Sequence, residues 1–155
     1  MDPLRIERAA LDDVFAHARE TEPDECCGAV VARGGRDEVW RFRNVQNELH
    51  ARDPVAFPRT AHTAYALGRE DTERLDTATL GRPDARTLTA IYHSHTKNGA
   101  YFSGEDRARA MFMDDPMYPG VAYLVVSDAR TPGEAKAFRW DEAQRDFAEV
   151  AVELV

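Results

Sequence analysis

The spacing of apolar positions changes several times along the chain, and each change marks an element. After a short extended start at Leu4 to Ile6, the residues Leu11, Val14, Phe15 and Ala18 recur at the i, i+3, i+4, i+7 spacing of a helix with one buried face. Pro23 predicts its end near Glu22. Cys27 to Ala32 is a short apolar run closed by Gly34-Gly35, which predicts a buried strand and a turn. Glu38 to Val45 predicts a second strand, paired with the first as a hairpin, with Val39, Arg41, Arg43 and Val45 facing one way and Trp40 and Phe42 the other. Asn47 to Arg59 has no clean period and contains Pro54 and Pro58, so it reads as a loop with a short strand at Val55 to Phe57. Thr60 to Thr79 is polar and helix-friendly, with Ala64, Leu67 and Leu75 as buried candidates and Gly81 and Pro83 as terminators.

Thr87 to Tyr92 is rich in strand formers and runs directly into His93-Ser94-His95, which places both histidines at or just beyond a strand end. Ser103-Gly104-Glu105-Asp106 opens a helix through about Met113, broken by Asp115-Pro116. Val121 to Ser127 is the near-continuous apolar run of a central strand covered on both faces, and Ala135 to Trp140 is a further strand. In the tail, Ala148, Val150, Val152 and Leu154 alternate with Glu149 and Glu153, as in a terminal edge strand. Strands alternating with three helices predict an α/β fold with a mixed sheet and helices packed against it.

Composition narrows the partners. A chain of 155 residues, 43% of them apolar, suits one compact domain over 1–155. The formal charge of -8 repels phosphate backbones, which argues against nucleic acid, and otherwise fits simple solubility. No run approaches about 18 apolar residues, and Met1 to Glu20 carries acids where a signal peptide needs an apolar core. A soluble, cytoplasmic protein without membrane contact is expected. Cys26 and Cys27 are adjacent, a spacing that suits neither a disulfide nor a structural zinc site, and they read as small buried hydrophobes. Trp40 and Trp140 read as core, His17, His50 and His62 as surface or structural, and Met111, Phe112 and Met113 most simply as packing for their helix, with an exposed part as a contribution to a protein-docking surface.

The chemistry gathers around the paired histidines. On a strand, His93 and His95 project to the same side and can share one ion. Asp106, in the first turn of the next helix, can complete a three-ligand zinc set that leaves one position for water, the pattern of a hydrolytic centre. Such a site needs a carboxylate that is not a ligand, to take a proton from water and return it to the leaving amine. Glu25, before the strand that starts near Cys27, is a candidate, though spacing alone does not separate it from Glu22 or Asp24. Ser103 can offer its hydroxyl to the oxyanion. Each feature also has a bland counterpart. Ser103 to Asp106 fits a helix capping box, an isolated His-x-His is often structural, and Glu25 fits a solvated acid in a proline turn.

Taken together, His93-Ser94-His95, seven residues, Ser103, two residues and Asp106 resemble the metal motif of the JAMM (JAB/MPN-plus) metalloprotease family. Pro23-Asp24-Glu25-Cys26-Cys27-Gly28 resembles the segment that carries the catalytic glutamate in its bacterial branch. The resemblance implies a cytidine-deaminase-like α/β/α fold, Zn2+ on His93, His95 and Asp106, and catalytic roles for Glu25 and Ser103. It also implies a substrate, the bond after the C-terminal Gly-Gly tail of a ubiquitin-like or sulfur-carrier protein. Thr96 stands where many members have proline, which affects only the loop path from Thr96 to Phe102. The chain lacks the long insertions of eukaryotic deubiquitinases, so a stand-alone bacterial-type enzyme is expected.

Other functions fit less well. A non-catalytic MPN-type scaffold that binds a partner protein is the alternative, but inactive members of the wider family lose ligands that this chain keeps. A nucleoside deaminase needs a later Pro-Cys-x-x-Cys, which is missing. A dinuclear hydrolase needs further donors, and Thr96-Lys97-Asn98 supplies none.

Overall fold

The computed structural model describes residues 1–79 and 87–155. Its strands are β1 (Leu4–Ile6), β2 (Cys27–Arg33), β3 (Arg36–Phe42), β4 (Thr87–His95), β5 (Met111–Phe112), β6 (Asp115–Pro116), β7 (Ala122–Ser127), β8 (Glu134–Asp141), β9 (Asp146–Val150) and β10 (Val152–Leu154). The helices are α1 (Arg8–Thr21), α2 (Gln46–Arg52), α3 (Arg69–Thr79) and α4 (Gly104–Ala110). At the centre is a six-stranded mixed sheet in the order β3-β2-β4-β7-β8-β9, in which only β4 and β7 pair in parallel. Two short pairs complete the strands, β1 with β10 and β5 with β6.

Burial follows the alternation of side chains along each strand. On one face of the sheet Val30, Tyr92, Leu124 and Val126 pack against Val14 and Ala18 of α1 and against Leu4 and Ile6. On the other, Cys27, Ala29, Val31, Ile91 and Tyr123 meet Leu75 and Ala78 of α3 and Ala110 of α4. Helices therefore cover both faces of a mixed sheet, the arrangement expected from the sequence. The β2–β3 hairpin closes through Gly34 and Gly35 at φ 58° and 77°, a pair of left-handed positions that glycine adopts without strain. Among the described residues, no helix is long and apolar enough to cross a membrane.

A β-bulge sets which way the histidines face. β2 pairs Val31 with Leu88 but Val30 with Ala90, so Thr89 is an extra residue in β4 and bonds through its hydroxyl to the Val30 carbonyl at 3.0 Å. Leu88 and Ile91 consequently lie on the same face despite their odd separation. Beyond Ile91 the alternation carries His93 and His95 to that face, while Tyr92 points at α1.

Several expected boundaries move, each for a local reason. β3 stops at Phe42, not Val45, because Asn44 turns its side chain onto the backbone: its Oδ1 accepts from Gln46 N (3.0 Å) and Ala66 N (3.1 Å). The segment Asn47 to Arg59, read as a loop, begins within α2, whose one buried residue, Gln46, leaves no apolar stripe to see. No strand forms at Val55 to Phe57; Val55 is 90% exposed, and Asp53 Oδ1 folds a turn by accepting from Val55 N and Ala56 N. The helix expected over Thr60 to Thr79 is confined to Arg69–Thr79, since Ala61 and Ala66 give their carbonyls to Glu25 N and Val45 N instead. Its expected terminators Gly81 and Pro83 lie outside the described residues. α4 ends at Ala110, not Met113: the chain turns back through Met113 at φ 55°, leaving Phe112 68% and Met113 84% exposed, so neither packs the helix. The tail splits at Ala151. β9 edges the large sheet, whereas β10 departs to β1, and Leu154 is exposed. Trp40 and Trp140 are half-buried and do not belong to the core proper.

Candidate metal centre

His93 and His95 end β4, and Asp106 sits in the first turn of α4, facing them. His93 Nε2 lies 3.1 Å from Asp106 Oδ1, His95 Nε2 lies 3.2 Å from Asp106 Oδ2, and the two imidazole nitrogens are 3.3 Å apart. All three side chains are buried. Glu25 joins them, since its carboxylate and the two imidazoles offer atoms within 4.8 Å of one another.

Local structure fixes each group. Ser103 and Asp106 form a reciprocal capping box: Asp106 N donates to Ser103 Oγ at 3.1 Å, and Ser103 N donates to Asp106 Oδ2 at 2.9 Å. The bland reading of this tetrad and the functional one thus coincide, because the cap aims the carboxylate at the histidines. His95 Nδ1 lies 3.1 Å from the Gly99 carbonyl, which favours the tautomer with its proton there and leaves Nε2 as the electron-pair donor. Between the histidines, Ser94 points the other way and accepts from Cys26 N at 2.8 Å, pinning the segment that carries Glu25. Asn44 holds the same segment by donating to the Glu25 carbonyl at 2.9 Å.

Two aromatic contacts and this asparagine were not visible in the sequence. Tyr65 stacks on His93 with centroids 4.5 Å apart, and Tyr101 meets His95 edge-on at 4.7 Å. Both come from irregular segments without periodicity. The one available signal for Asn44 was an amide residue breaking the pattern at a strand end.

The electrostatics fit a site for a cation. Burial pushes the Glu25 carboxyl up to about 8, although His95 and Arg59 pull it back. Burial also holds His93 below its ordinary value against the pull of Asp106, so its imidazole is neutral. For His95 burial works downward too, but Asp106 outweighs it and raises the pKa. Asp106 is held well below the usual carboxylate range: burial opposes this, and the bonds to His93 and His95 overcome it. Two buried polar atoms, Glu25 Oε1 and His93 Nδ1, have no hydrogen-bond partner among the described residues.

Donor spacing provides a test of fit. Nitrogen and oxygen atoms each about 2 Å from one tetrahedral zinc ion stand roughly 3.3 Å apart, and the separations here run from 3.1 to 3.3 Å. His93 and His95 present two nitrogens at that spacing, Asp106 turns one oxygen to each imidazole, and the buried donor atoms that gather within 4.8 Å, where a metal ion could sit, are those of the two histidines and Glu25. Cys26 and Cys27 take no part; both are buried, and burial raises the Cys26 thiol to about 12. His17 is buried against the Tyr92 hydroxyl at 2.7 Å, His50 bonds the Phe57 carbonyl, and His62 lies at the surface beside Asp24.

The sequence matches the family of prokaryotic homologs of the JAB domain over residues 7–141. The chain belongs to that family. A comparison with curated proteins returned no match. Among solved structures, this JAB-domain protein resembles a Desulfitobacterium hafniense protein at TM-score 0.68 and 20% identity, covering 97% of this chain and 92% of that one. A Salinibacter ruber protein follows at 0.59 and 20%, covering 97% and 91%. A JAB1/MPN domain protein from Archaeoglobus fulgidus aligns at 0.51 and 14%, covering 96% and 98%. At these identities the likeness concerns the fold, which is the JAB/MPN one.

Proposed function

We propose that this JAB-domain protein is a zinc-dependent hydrolase of the peptide or isopeptide bond that follows the C-terminal Gly-Gly tail of a ubiquitin-like or sulfur-carrier protein. The convergence of His93, His95 and Asp106, with the buried Glu25 carboxyl beside them, carries this reading. A zinc ion on those three donors supplies Lewis acidity toward water and the scissile carbonyl. The remaining work belongs to the chain. Glu25, lifted to about 8, sits near the pH where one group both accepts and returns a proton efficiently. It takes a proton from the attacking water as the new C–O bond forms, and gives it to the leaving nitrogen as the C–N bond breaks. The Ser103 oxygen accepts from Asp106 N but keeps its own proton, which it donates to the carbonyl oxygen as charge gathers there. The recess above Glu25 and His95 is only about 90 Å³, which favours a tail without side chains at the scissile bond.

The test is a carrier protein ending in Gly-Gly fused to one further amino acid, incubated with zinc-loaded protein and followed by mass spectrometry. Cleavage should cease with a chelator. In Glu25→Gln protein, kcat should fall by roughly 10²- to 10⁴-fold with zinc content unchanged. Cleavage that survives chelation, or Glu25→Gln protein of full activity, rejects the mechanism.

A further inference from the structure

One row of the central sheet runs outward from the candidate metal centre. His95 at the end of β4 is the register partner of Ser127 in β7, and Ser127 is the partner of Glu134 in β8. Partners in neighbouring strands put their side chains on the same face. All three side chains therefore stand on the face that carries the histidines, with Ser127 buried and Glu134 partly exposed.

The loop that leaves β4 crosses this row. From Thr96 to Phe102 it contains no proline to stiffen it, and its middle is held by the row itself. Ser127 Oγ donates to the Asn98 carbonyl at 2.6 Å, and Ala100 N donates to Glu134 Oε2 at 2.9 Å. Gly99 lies between these two bonds, and its own carbonyl is the one that meets His95 Nδ1 at 3.1 Å. A Cβ at Gly99 would stand 2.6 Å from Glu134 Oε2, so the missing side chain is what admits the carboxylate. Tyr101, next along the chain from Ala100, meets His95 edge-on at 4.7 Å. Two contacts that set the His95 ring thus depend on backbone gripped by Ser127 and Glu134. The other oxygen of Glu134 makes only a surface pair, 3.9 Å from the Nη1 of an Arg130 side chain that is 80% exposed. Such a pair contributes little, whereas a charged acceptor roughly doubles the strength of the bond from Ala100 N.

We propose that Ser127 and Glu134 are positioning residues for the metal centre: they clamp the Gly99 carbonyl from both sides, and that carbonyl turns the His95 imidazole so that Nε2 faces the ion. The effect on zinc rests on the ligand assignment in the hydrolase reading. The clamp itself belongs to the metal-free chain.

The test compares the parent with Glu134→Ala, Glu134→Gln, Arg130→Ala and Ser127→Ala. With chelator present, NMR gives the exchange rate of the Ala100 amide and the NOE between the His95 and Tyr101 rings. With zinc, competition against a chromophoric chelator gives the dissociation constant. Glu134→Ala should speed the exchange, weaken the NOE and raise the zinc dissociation constant about tenfold, the lower end for losing a partner behind a metal ligand. Glu134→Gln keeps an oxygen for the Ala100 N–H and should recover most of the loss, and Arg130→Ala, which removes only the ion pair, should match the parent. Ser127→Ala acts through the other bond and should weaken zinc binding in the same way, which keeps the test decisive if Glu134→Ala does not fold. In a parent that binds zinc, parental affinity in both Glu134→Ala and Ser127→Ala overturns the positioning role, even where exchange quickens. So does a Glu134→Gln protein as weak as Glu134→Ala, or an equal loss in Arg130→Ala. The two readings separate: if no protein binds zinc while the NOE follows Glu134, the clamp stands and the ligand assignment fails, and tight zinc binding with an unchanged NOE in every variant does the reverse.

Discussion

Adding zinc to chelator-treated protein should raise its melting temperature, and Asp106→Asn should remove most of that rise. The two imidazole Nε2 atoms are 3.3 Å apart, Asp106 places Oδ1 3.1 Å from one and Oδ2 3.2 Å from the other, and all three side chains are buried, so binding requires little rearrangement and favours the folded state directly. At free zinc 100-fold above the dissociation constant, the folded state gains about 2.7 kcal/mol. For a chain of 155 residues, that corresponds to roughly 5–11 °C. The amide introduced by Asp106→Asn keeps an oxygen to accept the Ser103 N–H, so the helix cap survives, but the anionic donor is lost. Mutating an outer partner of a ligand typically costs up to about 100-fold in affinity, and neutralising a ligand should cost at least that, so the gain at the same zinc concentration falls to about 0.4 kcal/mol or less, no more than roughly 1–2 °C. Calorimetry with each protein referenced to its own metal-free transition cancels any change Asp106→Asn makes to the apo fold. A shift as large in the Asp106→Asn protein as in the parent, or no shift in the parent with zinc, cobalt or manganese, would refute the assigned ligand set.

Three further predictions probe the scaffold. A Cβ at Gly28 would stand 2.3 Å from the Trp40 carbonyl and 2.4 Å from the Tyr92 ring, so Gly28→Ala should cost about 1–3 kcal/mol in urea unfolding; a cost under about 0.5 kcal/mol would mean the strands yield freely. Ser94→Ala leaves the buried Cys26 N–H without its acceptor and should cost about 1–3 kcal/mol, with faster amide exchange at Cys26; unchanged exchange there would count against the pin on the Glu25 segment. Burial, reinforced by Arg41, lowers the His17 pKa below 6.5, so under that pH the unfolded chain binds more protons than the folded one. Stability should therefore fall as pH drops through 6.5, and His17→Gln should flatten this part of the profile; parallel profiles for the two proteins would exclude His17 as a contributor.

The sequence displayed what depends on repetition or on rare residue combinations. The stripe of Val14 and Ala18, the apolar run of β7 and the Gly34-Gly35 turn all carry local signals strong enough to locate. The same holds for His93, His95 and Asp106, whose types and spacing are unusual together. What stayed hidden was built from single long-range bonds. Asn44 ends β3 early by bonding Gln46 and Ala66, and the segment around Ala61 is irregular because its carbonyls serve Glu25 and Val45. Neither effect leaves a periodic trace. The same segment supplies Tyr65, the ring that stacks on His93, which is why the aromatic wall of the site was also missed.

The choice among Glu22, Asp24 and Glu25 shows how pairing resolves what spacing leaves open. β2 and β4 run antiparallel with Cys27 opposite His93, and the Ser94 N–H bonds the Cys26 carbonyl at 3.1 Å. One step further on each chain brings Glu25 level with His95. Asp24 then faces outward to His62, and Glu22 is exposed beyond the end of α1. Because side chains alternate, a slip of one residue would bury Asp24 or Cys26 over the donors and turn the carboxyl of Glu25 away. The register is held by the apolar alternation of Cys27, Ala29 and Val31 on the face that carries the two histidines, and by Gly28, where a side chain would collide with Tyr92. The acid sits over the site because residues remote from any chemistry, and packed for their own reasons, permit one alignment of the two strands.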